Sequence, residues 1–127
     1  MKRILLIDDH EVVRRGLRSL LSSRPEWEIC GEAADGRAAV DQANSLRPDV
    51  ILMDVTMPQM DGIEATARIR AELPDILILG LSVQPRGETL HAIEHAGAAG
   101  FFVKGTDIRR LVEHLLVVHA SRPRSRV

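Results

Sequence analysis

Short, unbroken apolar runs recur along the chain at Ile4–Ile7, Val50–Met53 and Ile76–Leu79, with a weaker run at Ile29–Ala33 and a last one at Phe101–Val103. Runs this short and without polar alternation predict strands buried on both faces, as in a parallel sheet. Between the runs the period lengthens to that of a helix. Val13, Leu17, Leu20 and Leu21 share one helical face. Ala38, Ala39, Gln42, Ala43 and Leu46 predict a helix packed through small residues. Asp61 followed by Glu64 is a capped helix start, with Ile63, Ala67 and Ile69 behind it. Leu90, Ile93 and Ala96 predict a fourth helix that ends at Gly97. Thr106 or Asp107 caps a fifth, carrying Ile108, Leu111, Val112, Leu115 and Leu116. Five strands alternating with five helices predict an α/β fold: a parallel sheet, right-handed crossovers and helices on both faces.

In such a sheet the working residues lie just past the carboxyl ends of the strands. Asp8 and Asp9 follow the first run, Asp54 the third, Ser82 the fourth and Lys104 the fifth. Singly, each has an ordinary explanation. Asp8 or Asp9 could cap a helix, Asp54 could be a loop acid, Ser82 a turn residue and Lys104 a solvated lysine. Gathered at one sheet edge, however, three carboxylates repel one another. The compensation on offer is Lys104 and a divalent cation such as Mg²⁺, which binds through one or two carboxylates and leaves room for phosphate oxygens. Lys104 is also informative by composition, because the chain otherwise uses arginine and has only one other lysine, Lys2. His91 and His95 are four residues apart, but no third ligand accompanies them, and they read as a solvated helix face.

A carboxylate can attack phosphorus and form an aspartyl phosphate. Charge then builds on the equatorial oxygens, so a metal ion and a side-chain cation must flank them. The residues supply those parts. Asp54 is the candidate nucleophile. Asp9, Asp54 and a backbone carbonyl are candidate metal ligands, with Asp8 acting directly or through water. Lys104 and the Ser82 hydroxyl are candidates to contact phosphoryl oxygens.

The order Asp8-Asp9, Asp54-Val-Thr-Met-Pro-Gln-Met-Asp61-Gly62, Ser82 and Gly97-Ala-Ala-Gly-Phe-Phe-Val-Lys104 resembles the receiver domain of two-component response regulators. The Gly-Ala-x-Gly-Phe-x-x-Lys segment resembles in particular the regulators with a LuxR/NarL-type helix-turn-helix output. The resemblance implies a flavodoxin-like, doubly wound, five-stranded sheet and Mg²⁺ or Mn²⁺ as cofactor. It implies a sensor histidine kinase as phosphoryl donor to Asp54, and Thr56 as the source of the metal-binding carbonyl. Ser82 and Phe101 become the switch residues, while Thr56 and Gln84 flank the phosphoryl group and tune its hydrolysis. Residues 1–119 correspond to the receiver, and the arginine-rich 120–127 to a linker toward a helix-turn-helix domain outside this chain. That domain would carry all DNA contact, the phosphorylated protein would form a homodimer, and its setting would be cytoplasmic. The apolar Leu115–Val118 stretch predicts an uncovered face suited to such a partner. His10 and Arg86, beside the pocket, are candidates for tuning the choice of kinase. Four positions depart from the family pattern: Ser82 stands for threonine, Val83 for a small residue, Phe101 for a tyrosine at the switch position, and Gly105 for a proline after the lysine.

The 127-residue length fits one domain, and 17 basic against 18 acidic residues disfavour direct nucleic-acid or membrane-surface binding within it. A single cysteine, Cys30, excludes an internal disulfide. No apolar run approaches the ~18 residues of a membrane span. Two other readings compete. A phosphatase of the haloacid-dehalogenase class uses a nucleophile after its first strand, whereas the candidate here follows the third. A receiver-shaped interaction module without phosphorylation leaves the full set of acids, hydroxyl and lysine unexplained. Nucleotide enzymes are disfavoured because no glycine-rich phosphate loop follows a strand.

Overall fold

The computed structural model describes residues 2–55, 60–82, 87–104, 109–113 and 115, with 87–90 described by backbone alone. In chain order the elements are β1 (Lys2–Ile7), α1 (Glu11–Ser22), β2 (Trp27–Ala33), α2 (Gly36–Leu46), β3 (Val50–Asp54), α3 (Gly62–Glu72), β4 (Leu77–Ser82), α4 (Gly87–Ala96) and β5 (Gly100–Val103). Residues 109–113 and 115 are helical. The five strands form one parallel sheet in the order β2-β1-β3-β4-β5. This is the doubly wound arrangement that the apolar runs predict, with its direction of winding reversing between β1 and β3.

The unbroken apolar character of the central strands follows from their two covered faces. Leu5, Ile7, Ile51, Met53 and Ile78 point to one side, where Ala39 and Ala43 of α2, Ala65 and Ile69 of α3 and Ile93 of α4 close over them. Ile4, Leu6, Leu52, Leu79 and Phe102 point to the other, against Leu17 and Leu21 of α1 and the helical residues Leu111 and Leu115. Each of the leucine, isoleucine, methionine and phenylalanine side chains among them contributes roughly 1.5–3 kcal/mol when fully buried.

Helix ends follow the local chemistry. The Asp61 side chain accepts from the Glu64 N–H, as its capping pattern predicts. Asp35 does the same for α2 through the Ala38 N–H. Gly97, with φ of 122°, follows the end of α4. Three helix expectations are corrected. Leu20 of α1 is 39% exposed rather than part of the buried face, and Ala67 of α3 is exposed. In each case the sheet covers only a narrow stripe, which Leu17 and Leu21, or Ala65 and Ile69, fill. Neither Asp8 nor Asp9 caps α1. His10 is its N-cap and makes no side-chain capping bond. No described helix is long and apolar enough to cross a membrane.

Candidate functional site

Backbone register brings the candidate residues together. Asp8 leaves β1 with its N–H donating to Ala33 O at 3.0 Å, so the ladder continues one step past Ile7. Asp54 is the last residue of β3 and Ser82 the last of β4, both inside strand ends rather than beyond them. The Lys104 N–H donates to Ser82 O at 2.8 Å, which seats the lysine beside the end of β4. The chain after β3 folds back tightly, with Gly62 N–H donating to Val55 O at 3.1 Å. A Cβ at Gly62 would lie 1.9 Å from the Asp54 carbonyl oxygen, so only glycine permits this approach.

The side chains then meet around one ammonium group. Lys104 Nζ lies 2.7 Å from Asp8 Oδ2 and 3.1 Å from Asp54 Oδ2. All three groups are almost sealed from water, with side-chain exposures of 7% for Lys104, 1% for Asp8 and 4% for Asp54. Burial this deep is tolerated because the charges are paired. His10 completes the rim. Its N–H donates to Asp8 Oδ1 at 2.8 Å, and its Nδ1 lies 3.1 Å from the same oxygen and 3.2 Å from Asp9 Oδ1.

Behind the rim, Arg14 of α1 donates to the Asp8 carbonyl and, through Nε at 3.0 Å, to Glu32 of β2. Arg18 also donates to Glu32. Partial burial pushes the Glu32 carboxyl upward, but hydrogen bonds and charge from Arg18 and Arg14 outweigh it and hold it below its ordinary value. The loop that carries Asp8 is thereby tied to both α1 and β2.

One ligand atom each from Asp8, Asp9, His10 and Asp54 lies within 4.8 Å of the others. Among the described residues, Asp8 and Asp54 share the Lys104 ammonium, Asp9 lies in the same cluster, and Oδ2 of both Asp8 and Asp54 is closed to water. A formal surplus of negative charge with oxygen donors converging on one point fits a small divalent cation.

The structure therefore brings Asp8, Asp9, Asp54 and Lys104 into one cluster and sets the buried Ser82 at the adjacent strand end. Phe101 is partly buried on the neighbouring strand, packed against the apolar core under α3 and α4. Thr56, Gln84, Arg86 and Gly105 lie outside the described residues, as do Leu116–Val118 and 120–127. Sequence reasoning set His10 beside the pocket but did not foresee its contacts with Asp8 and Asp9, and it missed Arg14. The only available signal for His10 was its place directly after the acid pair, and Arg14 carried none.

The family profile of the response regulator receiver domain matches residues 4–116. The transcriptional regulatory protein LiaR of Bacillus subtilis is 40% identical over 124 residues, which cover 98% of this chain and 59% of LiaR. The chain spans less than two thirds of the length of the curated relatives it matches first. A two-component response regulator of the LuxR family from an Aurantimonas species superposes with a TM-score of 0.88 at 35% identity, covering 96% of this chain and 87% of that one. The signal receiver domain of NarL from Mycobacterium tuberculosis gives a TM-score of 0.87 at 31% identity, covering 95% and 98%. The superpositions agree with the parallel sheet, and the chain belongs to the response regulator receiver domain family, of the LuxR/NarL type.

Proposed function

We propose that Asp54 accepts a phosphoryl group from a phosphohistidine of a sensor histidine kinase, with Mg²⁺ or Mn²⁺ held by Asp8, Asp9, Asp54 and the Thr56 carbonyl. The observation that carries this reading is the buried Asp54 carboxylate, 3.1 Å from Lys104 Nζ and within the same acid cluster as Asp8 and Asp9. A carboxylate oxygen of Asp54 forms the new P–O bond, and the donor's P–N bond breaks with its electron pair staying on the imidazole. The cation, when bound, neutralises charge on the transferring phosphoryl oxygens. Lys104 meets a further oxygen of that group, and the Ser82 hydroxyl donates to another.

The new group adds about −1.5 to −2 charge beside Asp54. A hydrogen bond to a charged group is worth about 1.5–3 kcal/mol, and moving a population from 1:99 to 99:1 needs about 5.5 kcal/mol. Lys104 already pairs with Asp8 and Asp54, so its phosphoryl contact exchanges partners instead of adding one. The switching free energy then falls mainly on Ser82 and on charge repulsion among the acids. Phe101, beside Gly80 of β4, is the responding ring: a Cβ on Gly80 would sit 3.2 Å from it. Gln84 and Thr56 tune hydrolysis of the phosphoryl group.

In the whole protein, residues 1–119 act as the receiver and 120–127 as the linker to a DNA-binding domain. Phosphorylation promotes a homodimer that controls transcription from the cytoplasm. Intact mass after incubation with Mg²⁺ and acetyl phosphate tests the acceptor chemistry. One added phosphoryl group is expected, absent without Mg²⁺ and absent in Asp54→Asn. Failure to form an adduct, together with failure to bind beryllofluoride, would sink the reading in favour of a phosphorylation-independent interaction module.

A further inference from the structure

One side chain at the acid cluster has no part in the chemistry above. His10 is 59% exposed, yet its Nδ1 stands 3.1 Å from Asp8 Oδ1 and 3.2 Å from Asp9 Oδ1. The position is not required by the helix it precedes, since its side chain makes no capping bond. It is set instead by the His10 N–H, which donates to Asp8 Oδ1 at 2.8 Å and locks the residue beside that carboxylate.

The spacing has a coordination meaning. Ligands at about 2.1 Å around a six-coordinate ion stand about 3 Å apart along an edge and about 4.2 Å apart across the centre. The two His10 separations match an edge, and the 4.8 Å span of the whole set needs only a small closure to match the diameter. We infer that His10 is a ligand of the cation site, and that its nitrogen donor makes the site favour borderline divalent ions such as Ni²⁺ and Co²⁺ over Mg²⁺ beyond what carboxylates achieve. Carboxylate and water suit Mg²⁺, whereas imidazole suits the later first-row metals, whose affinity for a given nitrogen and oxygen site rises from Mn²⁺ to Ni²⁺. The inference rests on the reading of Asp8, Asp9 and Asp54 as cation ligands. An imidazole that only held the two carboxylates in place would affect both kinds of ion alike, so selectivity separates the two roles.

The test is calorimetric titration of the chain with MgCl₂ and, separately, NiCl₂. It is done in a His91→Ala/His95→Ala background, because that exposed pair on α4, four residues apart, offers Ni²⁺ a second site. His10→Ala and His10→Gln are each expected to lower Ni²⁺ affinity about ten-fold or more while Mg²⁺ affinity moves less than about three-fold. In the Co²⁺-loaded chain, paramagnetically shifted imidazole proton resonances are expected and should vanish in His10→Gln. An unchanged Ni²⁺-to-Mg²⁺ affinity ratio, with the shifted resonances still present, overturns the inference alone, provided Asp9→Asn weakens both ions. If Asp9→Asn leaves both affinities unchanged, the cation reading falls and this inference falls with it.

Discussion

Gly62 and Glu32 show how single side chains hold the acid cluster in place from outside it. The Asp54 carbonyl occupies the space where a Gly62 Cβ would stand. Gly62→Ala must push the β3 terminus aside, at a cost of about 1–3 kcal/mol for an overpacked site. The expected outcome is a lower urea midpoint together with slower phosphorylation of Asp54 by acetyl phosphate. An unchanged midpoint would mean that the turn yields without strain. Glu32 acts from the opposite side, holding Arg14, which in turn holds the Asp8 carbonyl. Its carboxyl is depressed in the folded state, so its stabilising contribution is present above the ordinary glutamate range and is lost as pH falls through the lowered value. The stability gap between the native chain and Glu32→Gln is therefore expected to be constant near neutrality and to close in acid. Urea melts at stepped pH check this, and a gap that widened in acid would contradict the assigned cause.

Helix α1 illustrates how an element's burial is decided by what it packs on. Leu17 and Leu21 are buried against the sheet face that carries Ile4, Leu6 and Leu52, while Leu20, one position away from Leu21, is 39% exposed. Leu21→Ala should cost about 2–5 kcal/mol, as expected for a core leucine, whereas Leu20→Ala should change stability by no more than about 0.5 kcal/mol. Thermal denaturation of the two variants side by side is the measurement, and equal losses would show that the apolar face is wider than the described packing. The helices were legible in the chain through their period, and the starts of α3 and the end of α4 through Asp61 and Gly97. Which leucine of an adjacent pair is buried was not legible, because both lie within the arc that the period allows.

Across the whole molecule, the acid cluster ties the charge balance of the site to folding, and the proposed cation would act on the same balance. Lys104 compensates Asp8 and Asp54 from within a site that excludes water. Removing one partner of a buried pair costs about 3–5 kcal/mol, so Lys104→Met is expected to melt well below the native chain in the absence of metal. Binding to the folded state alone stabilises by about 2.7 kcal/mol at a hundred-fold excess over Kd. With the competing ammonium gone, the upward shift in Tm on adding Mg²⁺ should be larger in Lys104→Met than in the native chain. A smaller shift would place the lysine among the groups that assist cation binding.

The amino-acid order alone determined the α/β alternation, the doubly buried strands and the delivery of Asp8, Asp9, Asp54, Ser82 and Lys104 to one edge. Those features depend on local apolarity, on period and on the rule that parallel strands share a direction. Only the tertiary structure decided that one ammonium serves both Asp8 and Asp54, that His10 turns its ring nitrogen toward Asp8 and Asp9, and that Arg14 and Arg18 converge on Glu32. Most of these contacts join residues far apart in the chain and all depend on the path each side chain takes. Strand order, register and the packing around each ring or guanidinium set that path, and no local pattern encodes it.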